Sequence, residues 1–111
     1  MDSTQAVAAL AALAQEKRLF LFRLLVQAGP AGLAPGAIAT QLDMPNATLS
    51  FHLKELSRAG LIASRQEGRF LYYSAQFATM DELLRYLSDN CCGGNPCLPV
   101  TSCCPPGERS S

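Results

Sequence analysis

The sequence predicts a mainly α-helical domain that carries one β-hairpin. Its 111 residues fit a single domain, and 49% of them are hydrophobic, which is sufficient to build one core. Apolar residues recur at helical spacing along most of the chain. The exceptions are two strand-like runs, Leu61-Ile62-Ala63-Ser64-Arg65 and Phe70-Leu71-Tyr72-Tyr73-Ser74.

The first half of the chain predicts three helices. Ser3 or Thr4 is expected to cap a first helix that ends at Leu13, whose alanines suit close packing, including packing in a dimer. A core helix is expected over Glu16–Ala28, ended by Gly29-Pro30. Its core residues are predicted to be Leu19, Phe22, Leu25 and Val26. A short third helix is expected to carry Ile38, Ala39 and Leu42 and to precede the turn Asp43-Met44-Pro45.

The next helix has an unusual outer side. Asn46 is expected to be its N-cap, and Leu49, Leu53 and Leu56 lie at the spacing of one buried stripe. The opposite side carries small, hydroxyl, aromatic and cationic groups in place of the usual Glu/Lys mixture: Ala47, Thr48, Ser50, Phe51, Lys54 and Arg58. A short helix, a tight turn and a helix of this kind form a helix-turn-helix.

The second half predicts a hairpin and a last helix. Gly60 is expected to end the preceding helix, and residues 61–65 and 70–74 to pair across the tip Gln66-Glu67-Gly68-Arg69. A hairpin in this position is a wing. The last helix is expected over residues 80–90, with Leu83, Leu84 and Leu87 on its apolar side. The predicted fold class is therefore a winged helix-turn-helix.

The distribution of charge matters more than its sum. The formal net charge is zero and the pI is about 6.5, which by itself argues against binding to nucleic acid. Between residues 46 and 73, however, two acids face four bases, which are Lys54, Arg58, Arg65 and Arg69. A local cationic patch can bind phosphates, with modest and strongly salt-dependent affinity.

No segment of the chain is long and apolar enough to predict a membrane span. The start Met1-Asp2-Ser3-Thr4 lacks the basic residues and the cleavage pattern of a secretory signal. We therefore expect a cytoplasmic protein with reduced thiols.

Three stretches of the second half of the chain carry a recognisable pattern: Leu49-Ser50-Phe51-His52-Leu53-Lys54-Glu55-Leu56, Ala59-Gly60-Leu61-Ile62, and Arg65-Gln66-Glu67-Gly68-Arg69-Phe70-Leu71-Tyr72-Tyr73. Together they resemble the ArsR-type (ArsR/SmtB) family of metal- and metalloid-responsive repressors. The resemblance covers about residues 10–87. It implies a homodimer formed by the first and last helices, and release from operator DNA when an inducer binds.

On this interpretation the helix-turn-helix and the wing hold DNA. The groups expected to enter the major groove are Asn46, Ala47, Thr48, Ser50 and Phe51. Those expected to hold phosphates are Lys54, Arg58, Arg65 and Arg69. His52 belongs to the same predicted DNA-binding set, as a packed or phosphate-facing histidine without any catalytic partner, and we predict no enzymatic activity.

The cysteines depart from the usual pattern of the family. Many arsenic sensors of this type carry Cys-x-Cys in the first helix of the helix-turn-helix, where this chain has Ala34-Pro35-Gly36. All five thiols lie in a C-terminal stretch, at Cys91, Cys92, Cys97, Cys103 and Cys104. The sequence thus divides into a winged domain over residues 1–90 and a cysteine-rich tail over residues 91–111, which we expect to be flexible.

Thiolates are soft ligands that select thiophilic ions, and arsenite takes three of them in a pyramid. Cys91, Cys92 and Cys97 would complete such a shell, and Cys103 and Cys104 would be additional or alternative ligands. Antimonite, methylated arsenicals and cadmium remain open as inducers. Other interpretations of the tail are a redox or persulfide sensor, a metal-buffering segment, incidental thiols, and a four-cysteine zinc site that lacks the paired Cys-x-x-Cys spacing.

Overall fold

The computed structural model describes residues 1–89. This part of the chain forms five helices and one antiparallel hairpin, which confirms the predicted winged helix-turn-helix. In chain order the elements are α1 (Ser3–Leu13), α2 (Glu16–Ala28), α3 (Pro35–Leu42), α4 (Asn46–Arg58), β1 (Ile62–Glu67), β2 (Phe70–Ala75) and α5 (Phe77–Ser88).

Helix α1 begins one residue earlier than its predicted caps would allow. Its N-cap is Asp2, whose carboxylate accepts from the Gln5 amide at 2.8 Å while the Gln5 side chain accepts from the Asp2 amide at 3.0 Å. This reciprocal capping box places Ser3 and Thr4 inside the helix, so the expectation that either caps it was wrong. Ala6, Ala9 and Ala12 are buried, and their small side chains bring α1 close to the core.

Helix α2 has the predicted bounds and packs Leu21, Phe22 and Leu25 into the core. Leu19 was predicted to be a core residue but is exposed, because it lies outside the stripe that these three residues form. Gly29 ends the helix at a φ of 80°, as expected for a glycine C-cap.

The wing consists of two antiparallel strands of six residues each. Ile62 pairs with Ala75 and Glu67 with Phe70, which leaves Gly68 and Arg69 as a two-residue loop. Gly68 has a φ of 64°, the positive value that such hairpin loops require at one position. β1 extends further than predicted, to Glu67, because a two-residue loop lets pairing continue to the tip. At the other end of the hairpin β2 extends to Ala75, which pairs with Ile62.

The loop before α3 is fastened to the wing. Leu33 and Tyr73 exchange two backbone hydrogen bonds of 2.9 Å each. Gly32 precedes this bridge with a φ of 73°, and a Cβ atom there would overlap the Tyr73 carbonyl. This contact fixes the start of α3 relative to the wing.

Helix α5 starts at Phe77, earlier than predicted, and ends at Ser88, two residues before the predicted end. Only Leu83 is fully buried, whereas Leu84 and Leu87 are exposed. The core itself lies between the five helices and the wing, and Ile38, Leu56 and Leu61 are completely inaccessible. None of the helices within residues 1–89 is long and apolar enough to cross a bilayer.

Candidate nucleic-acid interface

A tight turn joins the two helices of the helix-turn-helix. Asp43 adopts a left-handed conformation with a φ of 52°, and the amide of the buried Met44 donates to the Ala39 carbonyl at 3.0 Å. Pro45, with extended backbone angles, is the N-cap of α4. Asn46 is therefore the first helical residue, and the prediction that it caps α4 was wrong by one position.

Helix α4 buries one side and presents the other. Leu49, His52, Leu53 and Leu56 are buried. The exposed side contains most of the groups predicted to read DNA: Asn46, Ala47, Ser50, Phe51, Lys54 and Arg58, with Thr48 half-buried at the margin. A helix with short polar groups and cations on its free side has the dimensions and the chemistry to enter a major groove.

Phe51 stands out on this surface. Its side chain is 54% exposed, although phenylalanine is normally buried. The ring lies 5.6 Å from the ring of His52, tilted by 60°, and projects outward from α4. An exposed aromatic group at the centre of a polar face is suited to contact with a thymine methyl group.

His52 was included in the predicted DNA-binding set, and the structure corrects this assignment. It is only 5% exposed and lies on the buried side of α4, so it cannot touch a duplex in this conformation. Its Nδ1 atom is 3.4 Å from Nη1 of Arg18. Burial, and then the charges of Arg18 and Lys17, lower the pKa of His52 below its ordinary value of 6.5, so the imidazole is neutral at pH 7.

The two cations of α4 have different surroundings. Arg58 forms an exposed ion pair with Glu55 at 3.4 Å, a geometry worth little in energy and easily exchanged for a phosphate. Lys54 is exposed and forms no ion pair within residues 1–89.

Arg65, predicted to hold a phosphate, has partners both in the wing and in the loop before α3. Its Nε donates to Glu67 at 2.7 Å and its Nη1 to the Ala31 carbonyl at 3.0 Å. The guanidinium carbon lies 5.0 Å from the centre of the Tyr72 ring. These contacts tie the wing to the loop before α3 and neutralise part of the charge.

Arg69 lies at the tip of the wing, directly after Gly68, and is exposed. The ion pairs found within residues 1–89 do not include it. It is therefore the wing cation best placed to meet a phosphate or to enter a minor groove.

A cleft of about 610 Å³ separates α4 from the wing. Its lining is amphipathic, with Lys54 as its single charged residue, and consists of Pro35, Gly36, Asn46, Leu49, Ser50, Leu53, Lys54, Ser57, Leu71 and Tyr73. Ser57, Leu71 and Tyr73 were not among the predicted site residues. A signal for Ser57 existed, because Asn46, Ser50, Lys54 and Ser57 follow each other at helical spacing on one side of α4.

The predicted thiol site lies outside the described residues. Cys91, Cys92, Cys97, Cys103 and Cys104 all follow residue 89. Within residues 1–89, no three His, Cys, Asp or Glu side chains are grouped closely enough to hold a metal ion.

The exposed face of α4, the turn that precedes it and the wing beside it define the class of protein: a winged helix-turn-helix DNA-binding domain. Residues 13–65 match the family described as "Helix-turn-helix domain". The chain is 34% identical over 89 residues to the transcriptional activator HlyU of Vibrio cholerae, covering 78% of this chain and 80% of that protein.

Two solved structures show the same fold. An ArsR-like transcriptional regulator from Rhodococcus sp. RHA1 has a TM-score of 0.69 at 28% identity, over 77% of each chain. The homodimeric winged helix-turn-helix DNA-binding domain Mb0332 from Mycobacterium bovis has a TM-score of 0.62 at 33% identity, over 78% of this chain and 81% of that one. The chain belongs to the ArsR-like family of helix-turn-helix transcriptional regulators.

Proposed function

We propose that this regulator is a homodimeric repressor that leaves its operator when arsenite, or antimonite, binds thiolates of its C-terminal cysteines. The observation that carries the DNA-binding part is the free side of α4, where Ser50, Phe51 and Lys54 are exposed together. In this proposal that side enters the major groove, with Asn46, Ala47 and Thr48 at its leading end.

The wing and the cleft supply contacts to the DNA backbone. Arg69 at the tip of the wing binds a phosphate, and so do Lys54 and Arg58 on α4. Arg65 fixes the position of the wing. The part of its guanidinium that does not pair with Glu67 adds positive charge near the DNA backbone. The hydroxyl groups of Ser50 and Ser57 at the cleft are further donors that suit phosphate oxygens.

The dimer in this proposal uses α1 and α5. These helices contact each other, and each exposes apolar side chains one helical turn apart. The exposed fractions are 63% for Val7 and 42% for Leu10 on α1, and 41% for Leu84 and 56% for Leu87 on α5. Such a patch is typical of an interface, and the similar Mycobacterium bovis domain is homodimeric. A two-fold dimer would present its two α4 helices to half-sites about 34 Å apart.

The sensor in this proposal is the thiol cluster. Every cysteine of the chain lies within residues 91–104, just beyond the end of α5 at Ser88. Three thiolates from Cys91, Cys92 and Cys97 would bind arsenite, with Cys103 and Cys104 as additional or alternative ligands. Closure of this shell next to α5 would retilt a dimer helix and change the spacing of the two recognition helices.

The coupling free energy that inducer binding must supply to release the operator is modest. A coupling of about 1–3 kcal/mol between the two sites would weaken operator binding roughly 5- to 150-fold, which is sufficient for a switch. The same positions could instead respond to oxidation or persulfidation, because vicinal thiols form disulfides.

The experiment is a titration of the reduced, full-length chain on a duplex that it has itself selected from a random-sequence pool. Arsenite, antimonite, cadmium and a persulfide donor are added separately, with reductant present in the metal arms. Release by arsenite or antimonite alone supports the proposal, and release by the persulfide donor alone supports the redox alternative. A reporter gene placed behind the duplex separates repression from activation, which matters because HlyU is named as an activator.

A further inference from the structure

Arg18 connects α1, a helix of the proposed dimer interface, to α4, the helix proposed to read DNA. Arg18 lies in the first turn of α2, where its amide donates to the capping Gln15 side chain at 3.0 Å. Its Nε donates to the Ala12 carbonyl at the end of α1 at 2.7 Å. Its Nη1 lies 3.4 Å from Nδ1 of His52 on the buried side of α4.

The partners of this guanidinium are neutral. Within residues 1–89 no ion pair includes Arg18, so its charge is held by a carbonyl and an imidazole. The carbonyl of Ala12 belongs to the last turn of α1, where helix carbonyls lack partners within the helix. A planar guanidinium with donors in fixed directions sets the relative position of both partners, which a lysine cannot do as well.

We propose that Arg18 is the positioning residue that fixes α4, the DNA-reading helix, against α1 through the neutral imidazole of His52. This inference rests on the proposed function, because it requires that α4 reads DNA. It assigns a role to two residues that lie away from the exposed side of α4 and outside the cysteine tail.

The contact works only with a neutral histidine. An arginine has donors and no acceptor, so Nδ1 of His52 must accept and the ring proton must lie on Nε2. The charged groups that act on the ring are Arg18 and Lys17, both from α2, while α1 contributes the Ala12 carbonyl to the guanidinium. A protonated ring would lose its acceptor and would face two cations.

The sign of the pH effect follows. Because the pKa of His52 is lowered in the folded chain, the contact is complete at neutral pH and is lost as the pH falls below 6.5 through the lowered value. Operator binding should therefore weaken on acidification. A histidine that faced phosphates would give the opposite result, since its protonation adds attraction to DNA. His52 is the single histidine of the chain.

The test compares Arg18→Met with Arg23→Met, which removes the same charge from an exposed position of the same helix. The probe is the duplex selected by the wild-type chain, and affinities are measured from pH 5.5 to 8. At pH 7.5 we expect Arg18→Met to lose about 10-fold in affinity, the scale of a hydrogen bond to a charged group, and Arg23→Met to stay within about 2-fold. Equal affinities of these two variants would overturn the inference.

A second variant keeps the inference testable if Arg18→Met does not fold. His52→Asn retains an acceptor close to the position of Nδ1 and does not titrate. Its affinity for the selected duplex should be within about 3-fold of wild type at pH 7.5. Because asparagine does not titrate, this affinity should no longer fall on acidification. The inference would be refuted if the DNA affinity of His52→Asn still fell on acidification as that of wild type does. It would also be refuted if the wild-type chain bound DNA more tightly at low pH. If the wild-type chain selects no duplex at all, the proposed function fails and not this contact.

Discussion

At the scale of single residues, two neighbours on α4 have opposite environments. Phe51 is 54% exposed and His52 is 5% exposed, because successive helical residues differ by about 100° in direction. His52 lies three residues after Leu49 and four before Leu56, so it completes the buried stripe that the leucines begin. The apolar residue is therefore the one available to DNA, and the polar residue belongs to the interior.

Replacement of Phe51 by alanine should separate recognition from stability. Since the ring is largely exposed, the free energy of unfolding should change by less than about 1 kcal/mol. The affinity for the selected duplex should fall by about 5- to 150-fold, the range of a lost base contact, while affinity for a shuffled duplex falls much less. Phe20→Ala is the matched control, because Phe20 is a similarly exposed phenylalanine on α2. Equal losses on both duplexes would refute base contact by Phe51.

Arg69 should contribute charge and no sequence preference. Arg69→Ala is expected to weaken binding to every duplex and to lower the slope of log affinity against log salt by about one. Arg85→Ala removes the same charge from the exposed side of α5, where Arg85 pairs with Asp81, and should leave the slope unchanged. If the two variants give the same slope, Arg69 makes no phosphate contact.

At the scale of elements, two glycines with positive φ angles differ in what surrounds them. A Cβ atom added to Gly68 at the tip of the wing would have no neighbour within 4 Å, whereas one added to Gly32 would meet the backbone of Tyr73. The strain of a left-handed residue is common to both positions. The overlap with Tyr73 is specific to Gly32, where the loop before α3 pairs with β2.

Substitution of each glycine by alanine should show this difference. Gly68→Ala should cost about 1 kcal/mol in the free energy of unfolding, from backbone conformation alone. Gly32→Ala should cost clearly more, because the new methyl group forces Leu33 and Tyr73 apart and breaks their two hydrogen bonds. Urea unfolding of both variants measures the two costs. Similar values would mean that the bridge adds little to stability.

The sequence predicted element types well because the signals were local. Helical periodicity and Gly29 placed α2 correctly, and the Gly68 loop placed the wing. Errors arose where a tertiary contact or a competing cap decided the outcome. Asp2 with Gln5 outcompeted Ser3 as the cap of α1, and Pro45 displaced Asn46. The contact between Arg18 and His52 joins residues 34 positions apart, and no local pattern reports it.

At the scale of the whole molecule, the exposed apolar side chains of α1 and α5 form the surface at which we propose that two copies meet. Leu87→Glu or Val7→Glu places a charge in the proposed interface and should shift the protein toward monomer in sedimentation experiments. Gln27→Glu adds the same charge at an exposed position of α2 and should leave the dimer intact. Loss of the dimer should also weaken operator binding strongly, because the second half-site is no longer held. A monomeric wild-type chain would contradict the proposed assembly.

The cysteine tail gives the sharpest test of the sensing proposal. If Cys91, Cys92 and Cys97 hold the inducer, replacement of any one by serine leaves two soft ligands of the three that arsenite requires. Each variant should bind the selected duplex as wild type does, since α4 and the wing precede the tail, but should no longer be released by arsenite. Cys103→Ser and Cys104→Ser should retain most of the response.

Release curves for the five serine variants, recorded with reductant present, distinguish the arrangements that the spacing allows. Suppose that arsenite releases Cys97→Ser as it releases wild type but does not release Cys103→Ser or Cys104→Ser. The third ligand would then be Cys103 or Cys104. In that case the four residues between Cys92 and Cys97 do not form the loop of the shell, and arsenite closes a longer one. A normal response of every single variant would reject Cys91, Cys92 and Cys97 as a fixed set, because any three of the four remaining thiolates could then form the shell.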